Sequence, residues 1–534
     1  MRSTAEPGSA RKGDQVMLRS RAPLLWVSAL WLLSAIGLLT GAAAQPDPRY
    51  YTYDEVLALF DTWAAQYPSI FHREIIGYTL VGHEPIWAAK ISDNAAVHEP
   101  EARILIHAAQ HANEMNGIGA MVFMMNRLLT RYGHQSYYTQ MVDNLEWWFV
   151  PVLNIDGHRM VWNGVPHWAS WRKTKRDNNG DGQYTYPSDG VDPNRNWDFK
   201  WADYDSSQIW STRYKGPYPF SEPEVVAIRE FALRERPVFL MDLHSPDVVT
   251  DGNKIWWCWY DPITYRTGPD GNIYSGICQM LASRCQTEQN GVYYNGSVAS
   301  YNNVPKEQCW IYANTGICIY VMEISRQYWW SGATVDTIAA RVGRGLVYLG
   351  ERAQSGPGLM GFVTDAVNGA PLQAEVVVQQ VHDPTIGPRM TEPFHGQYWR
   401  LLLNGSYTVT ASAENHFPLT RSVYVSATGW TRLDFPLQPD PSAVEPDEMT
   451  PPRILWADSP MAPGRFIHFR VNRESEVALW LLDVSGRRVR TLVEDRFTPG
   501  VRSIGLDPGL PRGGYLLLLR AGDAQAARKL VVVE

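Results

Sequence analysis

HANE, residues 111–114, sets a histidine and a glutamate three positions apart, just after the apolar run RILI at 103–106. Alone the pair carries little weight. The chain has 13 histidines, and His98-x-x-Glu101 fits the same pattern, so such a short motif also arises by chance. Its partners give it weight. His244 ends PVFLMDL and Glu323 sits near the end of ICIYVM, so polar residues close two further apolar runs. His111, Glu114 and His244 make two imidazoles and one carboxylate, a zinc ligand set that leaves a fourth position for water. Zinc lowers the pKa of bound water from about 15.7 to about 7 and polarises a carbonyl. A further carboxylate, Glu323, is placed to take that water's proton and pass it on. The stretch WRKTKRDNNGDGQYTYPSDGVDPNRNW, 171–197, adds Arg172, Asn194 and Arg195. Arginine is the side chain that reads a carboxylate bidentately. A zinc–water site beside such arginines predicts cleavage next to a free C-terminus.

The elements that must position these residues read as α/β. ARILIHAA (102–109), LEWWFVPVLN (145–154), PVFLMDLHS (237–245) and ICIYVMEIS (317–325) are apolar runs of buried parallel strands. GIGAMVFMMNRLLTRY (117–132) and SEPEVVAIREFALRE (221–235) are helical, the second with Ser221 as its expected N-cap. The predicted fold is a mixed, mostly parallel sheet flanked by helices, with the site at the carboxyl ends of its strands. Composition shifts at SGPG (355–358). Alternating strands with Asn-Gly turns then read as a β-sandwich over 356–438, PLQPDPSAVEPDEMTPP (436–452) contains a Pro-rich acidic linker over 439–452, and 453–534 reads as a second all-β module.

Six separated motifs, in order over residues 50–350, resemble the zinc metallocarboxypeptidase family. HANE resembles its first ligand pair. LNIDG (153–157) resembles its Asn-Pro-Asp-Gly turn, with Ile155 in place of proline. WRK (171–173) sets Arg172 in the oxyanion position. GVDPNRNW (190–197) resembles the block that holds the terminal carboxylate with Asn194 and Arg195, and its Asp192 would orient the imidazole of His111. PFSEPE (219–224) is another family block, and LHS (243–245) supplies the third ligand. Tyr301 lies 22 residues before Glu323, the family's spacing from its mobile tyrosine to its catalytic glutamate. The resemblance implies one zinc per chain and peptides with free C-termini as substrates. Gln308 would face the substrate's last side chain. Its surroundings and the following β-sandwich resemble the regulatory branch, which carries a transthyretin-like domain and often prefers C-terminal Lys or Arg. No specificity aspartate is assigned among Asp247, Asp251 and Asp261.

The rest of the chain sets the context. A net charge of −7, with no Lys/Arg run, argues against nucleic acid. Residues 1–44 read as an export signal: Arg19 and Arg21, an apolar run from Leu24 to Leu39, then Ala42-Ala43-Ala44. That run falls short of the roughly 20 residues needed to span a bilayer, so a secreted or surface protein without a stable membrane span is expected. Five or so residues separate the cleavage site from Tyr50, which leaves no room for an inhibitory pro-domain. All five cysteines lie between Cys258 and Cys318. Export implies one or two disulfides with a thiol left over, although Cys278 and Cys285, two helical turns apart, are not expected to pair. The run containing Asp177, Asn179 and Asp181 resembles half a calcium loop without its closing glutamate, the other reading being an acidic turn. His98-x-x-Glu101 reads as a surface loop, and His107, His158 and His167 as structural. The 22 tryptophans read as core and pocket aromatics ahead of a sugar-binding platform. LLDVSGRRVRTL (481–492) and GGYLLLL (513–519) resemble C-terminal tails read by bacterial secretion machinery, with a passive adhesive domain as rival. Two other functions compete: a peptidase of peptidoglycan stem peptides on the same scaffold, and a catalytically inactive surface-binding protein.

Overall fold

A computed structural model describes residues 46–163, 171–245, 252–257, 260–261, 266–298, 304–440, 453–456, 466–471, 473–497, 500–505, 510–511 and 513–532. The proposed export signal, its apolar run, His167 and the linker over 441–452 lie outside them. Among the described residues no helix is long and apolar enough to cross a membrane.

The chain enters through α1 (Tyr53–Gln66), whose N-terminus is closed by a capping box. Thr52 accepts from the Glu55 amide while the Glu55 carboxylate accepts from the Thr52 amide, so two orphan donors are satisfied together. The antiparallel strands β1 (Phe71–Tyr78) and β2 (Pro85–Ile91) form one edge of an eight-stranded sheet. It continues through β3 (Ala102–Ala108), α2 (Asn116–Arg131), α3 (Ser136–Asp143), β4 (Leu145–Val150), α4 (Ile155–Trp162), α5 (Pro223–Glu235) and β5 (Phe239–His244). Next come β6 (Lys254–Trp257), the two-residue strands β7 (Tyr260–Asp261) and β8 (Arg266–Thr267), α6 (Gly271–Arg284), β9 (Asn295–Val298), α7 (Glu307–Thr315), β10 (Cys318–Glu323) and the long α8 (Ala333–Ser355).

Strand order is β1-β2-β4-β3-β5-β10-β6-β9. The central four, β4, β3, β5 and β10, are mutually parallel. Every residue of β3, β4 and β5 is buried, because helices cover both faces. The apolar runs read as strands are therefore strands, but β4 stops at Val150. Residues 151–154 turn out instead, with the Leu153 and Asn154 amides donating to Ala108 and Ala109 carbonyls. Close packing at the site end needs Gly117, where a Cβ would stand 2.8 Å from Ala108 Cβ and 2.9 Å from Leu243 Cβ. The expected cap of α5 shifts by one residue. Glu222 is its N-cap and Pro223 opens the helix, because proline's missing N–H is harmless at that position. Ser221 turns its hydroxyl to the Glu222 carboxylate at 2.7 Å.

After α8 the chain enters a β-sandwich with its own core, including Leu359, Val376, Val409 and Phe435. One sheet joins β11 (Gly358–Asp365), β13 (Gln397–Leu401), β16 (Trp430–Arg432) and β17 (Phe435–Leu437), and the other β12 (Ala374–Val378), β14 (Gly405–Ala413) and β15 (Leu419–Val425). A third core, including Phe469, Leu479 and Leu517, lies between further sheets. One joins β18 (Arg453–Trp456), β19 (Phe466–Val471) and β22 (Gly500–Gly505), the other β20 (Ser475–Asp483), β21 (Arg488–Phe497), β23 (Gly513–Ala521) and β24 (Ala524–Val532).

Cys278, Cys285, Cys309 and Cys318 are all buried free thiols, so no disulfide forms among the described cysteines, against expectation. Burial explains their state: it pushes the Cys278 and Cys285 thiols up to about 12, away from the reactive thiolate. Trp147, Trp148, Trp171 and Trp197 are fully buried core residues.

Candidate metal centre and carboxylate pocket

Three neighbouring parallel strands end together. His244 and Glu323 are the last residues of β5 and β10 and face each other in register. The loop after β3 carries His111 and Glu114, and it is pinned from two sides. The Ala112 amide donates to the Arg172 carbonyl at 3.1 Å. The Asn154 side chain bridges the Gln110 and Lys173 carbonyls at 3.2 and 3.0 Å. The LNIDG turn thus ties the ligand loop to the arginine segment.

His111, Glu114 and His244 converge, all buried. His111 Nδ1 lies 2.9 Å from Glu114 Oε1, His244 Nδ1 2.8 Å from Glu114 Oε2, and the two Nδ1 atoms 2.9 Å apart. The far nitrogens fix the tautomers. His111 Nε2 faces Asp192 Oδ1 at 3.2 Å, and His244 Nε2 faces Asp242 Oδ2. A carboxylate only accepts, and Glu114 faces the Nδ1 atoms as Asp192 and Asp242 face the Nε2 atoms; with Nε2–H donated outward, both Nδ1 lone pairs are left to point toward Glu114 and each other. Two lone pairs at that separation need a shared electrophile. Imidazole nitrogens with one carboxylate suit zinc, and Nε2–H donated to a carboxylate is the outer support such ligands use. Without a cation at the centre, the same negative surroundings favour a proton on His244 instead. Burial raises Glu114, yet the His111 and His244 imidazoles overcome this and hold its carboxyl well below the usual range. Burial lowers His244, yet Asp242 and Glu114 outweigh it and hold the ring well above its usual value.

The arginines divide in function. Arg172 reaches Glu114 Oε1 at 3.0 Å and Asp192 Oδ2 at 3.2 Å, so its guanidinium borders the ligand set but is ion-paired. Arg195 is only 6% exposed. Its Nε donates to the Tyr204 hydroxyl at 3.1 Å and its Nη1 to the Asn194 carbonyl at 2.6 Å, and among the described residues no carboxylate pairs with it. Asn194 Oδ1 accepts from the Glu307 amide at 3.1 Å, while its Nδ2 lies 3.3 Å from His244 Nε2, a contact between two donors. That amide is therefore poised for an incoming acceptor. Gln308, in the first turn of α7, is buried, and its Oε1 has no partner among the described residues. Tyr301, Asp247 and Asp251 lie outside the described residues, and Asp261 falls on β7.

Residues 56–330, just over half of the chain, match the family model described as zinc carboxypeptidase. The chain belongs to the zinc carboxypeptidase family. Among curated relatives it is 25% identical over 421 residues to carboxypeptidase D of Homo sapiens, covering 74% of this chain and 28% of that protein. It is 28% identical over 253 residues to zinc carboxypeptidase A 1 of Drosophila melanogaster, covering 43% of this chain and 56% of that one. The chain thus spans little more than a quarter of the length of the human relative. Among solved structures it matches thrombin activatable fibrinolysis inhibitor at a TM-score of 0.48 and 20% identity, over 57% of this chain and 73% of that one.

Around the cluster of His111, Glu114 and His244 stands a buried array that the sequence did not single out. Asp242 reaches His244 on one side and, at 3.5 Å, His107 Nδ1 on the other. His107 Nε2 lies 2.9 Å from Glu307 Oε1, and the other Glu307 oxygen accepts from Gln110 Nε2. His107, read as structural, is part of the support of His244 and links it to the first turn of α7. One signal for this lay in FLMDLH, where a carboxylate two residues before a ligand shares its strand face and, being buried, needs a partner. Tyr328 was also missed. Its hydroxyl is pushed up to about 12 by burial and by the Glu114 carboxylate beside it, and Glu323 adds to the effect.

One reading changes in the folded chain and another is refined. The calcium suggestion finds no support. Asp177 accepts from the Gly180 and Gly182 amides at 2.7 and 2.8 Å, Asn179 from the Asp181 amide at 3.0 Å and Asp181 from the Gln183 amide at 2.8 Å, so the run is an acidic turn capped by its own backbone. His98-x-x-Glu101 is a loop, as read, but one partly covered by the sandwich. His98 stacks on Phe394 of the β-sandwich with ring centroids 3.6 Å apart, and burial pushes Glu101 up to about 8. Only the tertiary packing of the sandwich covers it. His158 is structural, a buried ring 3.1 Å from the Tyr51 carbonyl and pushed down to about 4 by burial.

Proposed function

We propose that this chain is a secreted zinc-dependent metallocarboxypeptidase that hydrolyses the C-terminal peptide bond of peptides and proteins. The observation that carries the reading is Arg195, a buried guanidinium without a carboxylate partner among the described residues, adjoining Asn194 and the paired imidazoles. A buried unpaired charge is costly, and a substrate's terminal carboxylate would satisfy it bidentately. His111, Glu114 and His244 hold the metal, with Asp192 and Asp242 orienting the rings. Bound zinc supplies Lewis-acid polarisation of the scissile carbonyl and a water acidic near neutral pH. Glu323, in register with His244, takes the water's proton and returns it to the leaving amine. Arg172 steadies the developing oxyanion. Asn194, Arg195 and Tyr301 fix the substrate's terminus, and Gln308 faces its last side chain. In this reading the sandwich over 356–438 is a transthyretin-like companion domain and 453–534 a sorting tail, with residues 1–44 removed on export. Metal analysis together with release of C-terminal residues tests the proposal. We expect one zinc per chain and turnover that Glu323→Gln abolishes with zinc retained; zinc without turnover on any peptide with a free C-terminus refutes it. Comparing C-terminal Lys with C-terminal Phe peptides then sets the preference.

A further inference from the structure

A second basic site lies at the junction of the catalytic domain and the first β-sandwich. A small cleft of about 50 Å³ is lined by Arg236, Arg389 and Arg400 together with Tyr274, Gly316 and Trp399. It sits at the amino ends of the parallel strands, since Gly316 precedes β10, whose carboxyl end carries Glu323. A six-residue strand puts roughly 17 Å between the two ends, so the cleft is separate from the metal centre.

Its charges do not balance. Asp270, the N-cap residue of α6, is the carboxylate that meets these arginines. Arg389 pairs with its Oδ2, Arg400 Nη2 stands 3.9 Å from its Oδ1, and the Tyr312 hydroxyl also donates to it at 2.9 Å. Arg389 further donates to the Gly316 carbonyl at 2.6 Å, lying where any Cβ on Gly316 would collide with it. Arg400 donates to the Val376 carbonyl at 3.1 Å and is 5% exposed. Arg236 has neither an ion pair nor a side-chain hydrogen bond among the described residues. It caps α5 in the left-handed conformation, φ 47° and ψ 54°, a position where glycine is the ordinary choice and where strain of this kind gathers at ligand clamps. The buried Trp399 indole N–H is also without a partner among the described residues. Arg389 and Arg400 thus share one carboxylate, and Arg236 lines the same cleft with none. Burial pushes Arg236 down to about 10, and burial with the neighbouring Arg389 does the same to Arg400.

We propose that this junction cleft binds a small, doubly charged oxyanion of the phosphate class, which bridges Arg236 of the catalytic domain to Arg389 and Arg400 of the sandwich. Two uncompensated guanidiniums match two negative charges, and guanidinium forks match phosphate geometry. Because the ligand touches both domains, binding it stabilises their docking.

The test uses the zinc-loaded full chain at pH 8, with potassium phosphate against potassium chloride at matched ionic strength. Calorimetric titration and melting are read together. The expected results are a saturable phosphate site and a Tm rise of about 2 °C once phosphate exceeds its Kd roughly tenfold. Arg236→Gln, which removes no described hydrogen bond, should weaken phosphate at least about tenfold while leaving peptide hydrolysis unchanged. Arg400→Gln, the second variant, should do the same to phosphate. Arg195→Gln, in the catalytic pocket, should leave this affinity intact. Absence of phosphate binding by the wild type overturns the proposal, as does binding lost in Arg195→Gln but kept in both junction variants.

Discussion

Asp242→Asn is the most informative single change. Asp242 is fully buried between two rings, His244 Nε2 on one side and His107 Nδ1, at 3.5 Å, on the other. Burial raises its carboxyl, but the adjacent His244 and His107 outweigh that and keep it below its usual value, hence ionised at neutral pH. Asparagine keeps the shape and still offers one oxygen to the His244 N–H. What is lost is the negative charge that raises the basicity of Nδ1 and holds the ring's tautomer. Removing such outer support typically weakens metal affinity 10–100-fold, about 1.4–2.8 kcal/mol. The assay is chelator competition for zinc at pH 7.5, with turnover measured at saturating zinc. We expect zinc Kd to rise by that factor and much of the activity to return when zinc is added in excess. Binding is compared between metal-free and loaded forms of the same variant, so a general loss of fold stability largely cancels. A Kd within twofold of wild type would falsify the assigned role of Asp242. Lost turnover at unchanged Kd would likewise move its role from holding His244 to the reaction itself.

Three further outcomes are expected. Glu323→Gln should bind zinc like the wild type yet lose about 10²–10⁴-fold in kcat; C-terminal residue release with metal analysis checks this, and lost zinc would place Glu323 among the ligands. Arg195→Gln should cut kcat/KM on a free C-terminus by roughly 10–100-fold, the weight of one charged hydrogen-bonded contact, at unchanged zinc content. Glu224, buried beside Glu222, is pushed up to about 8 by that burial and then by the Glu222 charge. Its folded value lies above its unfolded one, so its contribution to stability is full below pH about 4.5 and is lost as pH rises toward 8. Glu224→Gln should therefore raise Tm at pH 8.5, by about 3 °C for about 2 kcal/mol in a domain of roughly 300 residues, and change it little at pH 5.

The candidate site residues were legible because each is a polar break at the end of an apolar run: HANE after RILI, His244 after PVFLMDL, Glu323 after ICIYVM. Burying a charged or polar side chain there without a purpose is costly. Their order also restricts where they meet, since parallel strands of one sheet share a carboxyl edge. Other residues left no such trace. His107 lies inside a strand, where one histidine looks like any buried ring, and only its 2.9 Å approach to Glu307, 200 residues away, ties it to the site. The misreading of Ser221 came from propensity, which favoured serine as a cap over the Pro223 that in fact opens the helix. The stacking of Phe394 on the loop residue His98 left no trace in the sequence.

Sequence by itself determined the fold class and the family to which the chain belongs, and it picked out the candidate metal-seeking side chains that the fold brings together, because strand periodicity and motif spacing are local properties of a chain. Tertiary structure alone decided which carboxylate orients which imidazole, that Arg172 is ion-paired while Arg195 touches no carboxylate among the described residues, and that Arg389 and Arg400 meet at Asp270 at the domain junction. Those outcomes depend on which distant groups share a desolvated space, and charge–charge energy in such a space is set by separation and burial, neither of which is written in the order of residues.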